Sequence, residues 1–156
     1  MPKRLSILKL PVPESCDCNV CRSMCRIPCW PSPQEAEKLI ELGYGAQMML
    51  NSRYHPRKGH EILVICPAKK GLESKTNWDT RDKRGKVRCT LQKAGLCSIH
   101  NICKPIEAQL AICTGPQPDN LRDQVALLWD NPSAQKLAKK WIKEFMKDKL
   151  IAEIYL

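Results

Sequence analysis

The chain has 156 residues, room for one domain of ordinary size or a compact domain with an appendage, and not for two independent domains. Aromatic residues make up only 5% and there are 7 Gly and 12 Pro, so a thin apolar core is expected, one that a covalent or metal staple would help. The formal charge of +10 points to a polyanion partner, but it counts all ten cysteines as neutral; eight thiolates around two divalent ions, or two cubane iron–sulfur clusters, would lower it to about +6.

Residues 1–15 form a basic lead-in punctuated by proline, expected to be extended. Its apolar stretch is interrupted by Lys9 and stopped by Pro11, too short for a signal-peptide core, and no other run approaches membrane-spanning length. A cytoplasmic chain is therefore expected. There thiols stay reduced, and a ten-cysteine pattern argues for metal binding over disulfides; in a secreted chain the inference would reverse.

The lead-in runs into "CDCNVCRSMCRIPC", which places Cys16, Cys18, Cys21, Cys25 and Cys29 within fourteen residues. Cys18 and Cys21 form a CxxC whose sulfurs can share one ion after a tight turn, and Cys25 and Cys29 follow at four-residue steps, on one face if that stretch is helical. Four such thiolates suit tetrahedral zinc or an iron–sulfur cluster equally, and Arg22 and Arg26 are placed to offset their charge. The bland alternative is that one or two of the five are small buried residues.

"SPQEAEKLIELG" predicts a helix with Ser32 as N-cap, Pro33 at its first position, Glu35 closing a capping box and Gly43 as the stop. Ala36, Leu39, Ile40 and Leu42 are expected to face the core. A short helix near 46–50, a polar basic loop "NSRYHPRKGH" and a buried strand "EILVIC" ending at Cys66 come next. His55 and His60 in that loop are expected to be solvated. From Lys69 to Lys93 there are nine Lys or Arg and three acids with no apolar period, which predicts a long exposed loop with Cys66 and Cys89 as anchors. A turn at Gly95 and a short helix through Glu107 to Ile112 complete this part, and two helices, Leu121 to Trp129 and Ser133 to Leu150, follow. In the last, Leu137, Trp141, Ile142, Phe145 and Met146 make an apolar face opposite Lys136, Lys139, Lys140, Lys143 and Lys147. Docking through that face is preferred over membrane or partner contact by the lysines.

A second, more dispersed ligand set comprises Cys66, Cys89, Cys97 and either His100 or Cys113, since Cys97 and His100 stand three apart and can face one site. Cys103 lies near the same stretch as a ligand, a core residue or a redox-sensitive thiol.

Three blocks, "PCWPSPQEAEKLIELGYG", "ILVICPAKKG" and "CTLQKAGLCSIHNICKPIEAQLAIC", together resemble the YkgJ-type cysteine-cluster family of zinc- or iron-chelating domains over roughly residues 16–115. The later pattern of that family is matched by Cys97, Ile99, His100, Lys104, Pro105 and Cys113; the cysteines of the first cluster stand singly here, where many relatives have adjacent ones. The resemblance implies metal binding and no defined cellular activity.

No Gly-rich phosphate loop, HExxH or Ser-centred elbow is present, so no catalytic residue is assigned. The run "RDKRGKVR", with Arg81, Lys83, Arg84, Lys86 and Arg88, supports a nucleic-acid hypothesis, with Trp78 as a stacking partner, against the plainer reading of a solvated loop.

The expected protein is an α+β, small, helix-rich, metal-stabilised domain with little strand: lead-in 1–15, cysteine-cluster domain 16–115, and a C-terminal helical extension 116–156 packed on it. It binds zinc or iron, possibly as an iron–sulfur cluster, at one or two sites, the metal being at least partly structural. Its rivals are an iron–sulfur redox or transferase enzyme and an accessory protein that binds nucleic acid, or an acidic protein partner, through 69–93.

Overall fold

Ser32 Oγ accepts the Glu35 amide while the Glu35 carboxylate accepts the Ser32 amide, and Pro33 occupies the first turn, so α1 spans Pro33–Leu39. The structure is a computed structural model that describes residues 29–76, 87–110 and 120–156. Gly43, at φ +92°, ends the helical path, and a wide turn through Tyr44 with one 3₁₀ turn, Gly45–Gln47, leads into β1, Met48–Tyr54. The short helix expected near 46–50 is therefore a strand from Met48 onward. A second strand, β2, covers Glu61–Pro67 and pairs antiparallel with β1 from Met48 opposite Pro67 to Tyr54 opposite Glu61.

A two-stranded ribbon alone is marginal. Here both outer edges are closed. Leu50 of β1 donates to the Lys75 carbonyl at 2.9 Å, and the Gln135 side chain accepts from Leu63 N and donates to Leu63 O at 3.1 and 3.0 Å. Ile62 through Cys66 are all buried, as an unbroken apolar run requires when both faces of a strand are covered.

The covering elements are α1, α4 (Leu121–Leu128) and α5 (Pro132–Phe145), each packed on β2; before them come β3 (Gln92–Lys93), β4 (Leu96–Cys97), α2 (His100–Cys103) and α3 (Ile106–Leu110). Asn131 caps α5 by accepting the Ala134 amide. Met146 leaves the helical path, and Asp148 caps a separate helix, α6 (Lys149–Tyr155), by accepting from Leu150 N and Ile151 N. The single helix expected from Ser133 to Leu150 is thus broken where a capping aspartate competes with continuation.

The described residues build one hydrophobic core, in which Trp30, Trp129 and Trp141 are 2%, 0% and 1% exposed. Each buries on the order of 200 Å², a contribution of about 5 kcal/mol, so few aromatics do much of the filling. Their N–H groups bind the frame as well: Trp129 Nε1 donates to Pro31 O at 2.9 Å and Trp141 Nε1 to Gly45 O at 2.8 Å. Ala36 and Leu39 face this core as expected, but Leu42 is 50% exposed, because its 100° step places it well off the Ala36–Leu39–Ile40 stripe just before the Gly43 turn. The architecture is α+β: helices wrapped around a hairpin, with a second small antiparallel pair formed by β3 and β4. No helix among the described residues is long and apolar enough to cross a membrane.

Candidate functional site

Cys66 lies near the end of β2 with its side chain fully buried. Two residues beyond, the chain zips against the segment that carries Cys89: Thr90 N donates to Ala68 O at 2.8 Å, Lys70 N donates to Arg88 O at 2.9 Å, and Lys69 stands opposite Cys89. The ends of the stretch expected to be a wholly exposed loop are therefore paired backbone, with Ser74, Thr76 and Leu91 buried. This pairing brings the half-buried Cys89 into electrostatic reach of Cys66.

Burial pushes the Cys66 thiol far up. Arg122 pulls it down, the charges of Glu107 and Cys89 push it up, and a hydrogen bond with the Asn51 side chain eases it. Charges from α3, α4 and the 87–91 segment are thus felt at one buried sulfur.

The charged members of that node are tightly held. Arg122 binds Glu107 in two places, Nε to Oε2 at 3.1 Å and Nη2 to Oε1 at 2.5 Å, and its guanidinium carbon lies 4.5 Å over the Trp30 ring. Glu107 is 5% exposed and its amide donates to Trp30 O at 3.2 Å. Trp30 directly follows the half-buried Cys29, and its buried Nε1 has no hydrogen-bond acceptor among the described residues. An N–H donor in this position fits an anionic acceptor such as a thiolate sulfur.

Cys97, half-buried in β4, pairs with Gln92, and His100 opens α2. Cys103 packs under α1, its Sγ donating to Glu35 O at 3.6 Å; burial, and then the Glu35 charge, push its thiol up against a smaller pull from Lys38, so it behaves as a core residue rather than a reactive one. Among the described residues no group of three His, Cys, Asp or Glu side chains is gathered so as to hold a metal ion. Cys16, Cys18, Cys21, Cys25 and Cys113, and the cations Arg81, Lys83, Arg84 and Lys86, lie outside the described residues. Arg88 is half-buried, its carbonyl engaged by Lys70.

Two polar joints escape a sequence reading. Glu35 does more than cap α1: Oε2 also accepts from Ile106 N at 2.9 Å and Oε1 from Gln109 Nε2 at 3.1 Å, tying α1 to α3. The capping box was the visible signal; the long-range partners had none. His55 and His60 are the second joint. His55 is not solvated, its side chain being 9% exposed, and its Nδ1 accepts from both Arg57 N and Lys58 N at 3.0 and 2.9 Å. Nε2 must then carry the proton of the neutral ring, which leaves no lone pair there for a metal. It lies 3.6 Å from Asp130 Oδ2, while His60 Nε2 lies 2.7 Å from Oδ1, so one carboxylate fastens the hairpin tip to the corner between α4 and α5.

No family model, no curated protein and no solved structure matches this chain.

Proposed function

We propose that this chain binds zinc or iron through cysteine thiolates, the metal closing distant segments onto the hairpin and helices and being at least partly structural. The observation that carries the reading is the buried indole N–H of Trp30, next to Cys29 in the chain, which has no acceptor among the described residues, together with Cys66, buried within electrostatic reach of a second thiol, Cys89. The resemblance of the cysteine blocks to the YkgJ-type family suggests the same chemistry, from the same cysteines. Cys66 and Cys89 would hold the ion, with Cys29 and the cysteines of the first cluster and Cys113 supplying the further ligands. When bound, the metal supplies a closed, sulfur-coordinated crosslink. The chain's own residues exclude water from Cys66 and neutralise charge around it.

Elemental analysis of protein isolated anaerobically without added metal tests this. Zinc or iron bound at least stoichiometrically is the expected result, reduced when Cys66 and Cys89 are both changed to Ser, and brown colour would assign the iron–sulfur form. A metal-free protein that stays folded in a strong chelator would refute it.

A further inference from the structure

α5 and α6 run in opposite directions along the hairpin. The Gln135 side chain meets Leu63 near the hairpin tip, and Trp141 Nε1 meets Gly45 at its base. The chain then returns. Lys147 N donates to Ser74 O at 3.0 Å at the base, where Ser74 N is bound to Met48 O, and Tyr155 Oη donates to Glu61 Oε1 at 3.0 Å beside the tip. Both helices turn an apolar side inward, Ala138, Trp141 and Ile142 of α5 in the core and Ile151, Ala152 and Tyr155 of α6 against it, and the two pack on each other. On the outside, Tyr54, Leu150, Ile154 and Leu156 are 69%, 68%, 61% and 62% exposed, the four most exposed large hydrophobic side chains among the described residues. They gather at one end of the molecule: Leu150 and Ile154 stand one turn apart on α6, Leu156 follows it, and Tyr54 pairs with the Glu61 that holds Tyr155. Beside them, the outward side of α5 and the start of α6 carry Lys136, Lys139, Lys140, Lys143, Lys147 and Lys149, all exposed. The exposed acids there are Glu144, Asp148 and Glu153, and Asp148 is engaged as the α6 cap.

We infer that this surface docks on an anionic lipid bilayer, α6 lying in the headgroup region with Leu150, Ile154 and Leu156 entering the acyl boundary while the lysines meet the lipid anions. Either half alone binds weakly; aliphatic insertion and a polybasic patch acting together are what stable peripheral attachment requires. Tyr54 suits the same boundary, as an apolar ring with one wet end. Charge complementarity selects this occupant. A second copy of the chain would bring the same patch against itself, lysine ridge to lysine ridge. A nucleic acid would take the lysines but leave three aliphatic side chains in water. No cysteine belongs to this surface, so the inference goes beyond the metal–thiolate reading and is independent of it.

The test is co-sedimentation of the full chain, as isolated under reducing conditions, with extruded vesicles of phosphatidylcholine alone or of phosphatidylcholine with phosphatidylserine. Binding to the anionic vesicles should exceed binding to the neutral ones by about tenfold or more, and should fall as salt rises. Leu150→Ser combined with Ile154→Ser should lower it by about tenfold or more and leave the urea midpoint unmoved, since both side chains already face water. Lys136, Lys139 and Lys143 changed together to Gln should lower it by about the same factor and flatten the salt dependence, which decides the matter should the serine variant not fold. Binding that the serine substitutions leave unchanged is adsorption by charge only and overturns the inference. Equal binding to both kinds of vesicle overturns it too. So does absence of binding to either, whether the chain instead forms a dimer that the serine variant loses or retains duplex DNA in a salt-sensitive way.

Discussion

Replacing Glu35 with Ala removes three acceptor contacts at once, and the structure allows their sum to be worked out. The reciprocal capping box at Ser32 is worth about 1 kcal/mol. The Ile106 amide, 2.9 Å from Oε2, is left without its acceptor, at about 1–3 kcal/mol for a buried donor, and Gln109 loses a partner that it can replace by turning its amide. Against this, the variant no longer holds a carboxylate in a partly desolvated place. The net expectation is a loss of about 2 kcal/mol, measured by urea unfolding at neutral pH. A pH series sharpens it. Burial raises the Glu35 carboxyl above its ordinary value of 4.5, outweighing the hydrogen bonds from Ser32, Ile106 and Gln109 that pull it down. The folded state therefore holds this proton more tightly than the unfolded chain. Its contribution to stability is fully present below 4.5 and is lost as pH rises through the folded value. Glu35→Gln should lack that slope. A cost for Glu35→Ala below about 0.5 kcal/mol, or an identical pH slope in the wild type and the Gln variant, would refute the view that this side chain joins α1 to α3.

Two further perturbations probe the frame around the site. A Cβ at Gly45 would overlap the Phe145 ring, with Cε2 only 2.7 Å away, so Gly45→Ala should cost about 1–3 kcal/mol in urea unfolding, and Phe145→Leu in the same chain should relieve part of it. The Asp130 carboxyl is held below its usual value by the hydrogen bond from His60, reinforced by the charges of His60, Lys58 and His55 and opposed by burial. A depressed carboxyl contributes stability above its unfolded value and loses it as pH falls through the lower folded one, so wild type and Asp130→Asn should differ near neutrality, by at most about 1 kcal/mol, and converge in acid. A difference that grows on acidification would contradict the arrangement.

Local chemistry was legible wherever neighbours in sequence are neighbours in space. Ser32, Pro33 and Glu35 announce the start of α1, Gly43 its end, and the apolar run before Cys66 a strand buried on both faces, because capping geometry, a left-handed turn and an unbroken apolar run are read within a few residues. Short-range pattern was less reliable where two local solutions competed. The stretch from Ser133 to Leu150 has helical periodicity throughout, yet Asp148 caps a new helix; Met48 to Leu50 suits a helix by composition and becomes a strand because β2 offers it a partner.

By itself the sequence determined an α+β chain, rich in helix with little strand, and an inventory of ten cysteines. Only the tertiary structure decided that Cys66 is fully buried, that Cys103 belongs to the core, and that Arg122, Glu107 and Trp30 form one charged node, from positions up to 92 residues apart. The physical reason is that burial and Coulomb interaction depend on distances through space, which backbone pairing at Ala68–Thr90 and packing of α4 on β2 set and which no spacing along the chain encodes.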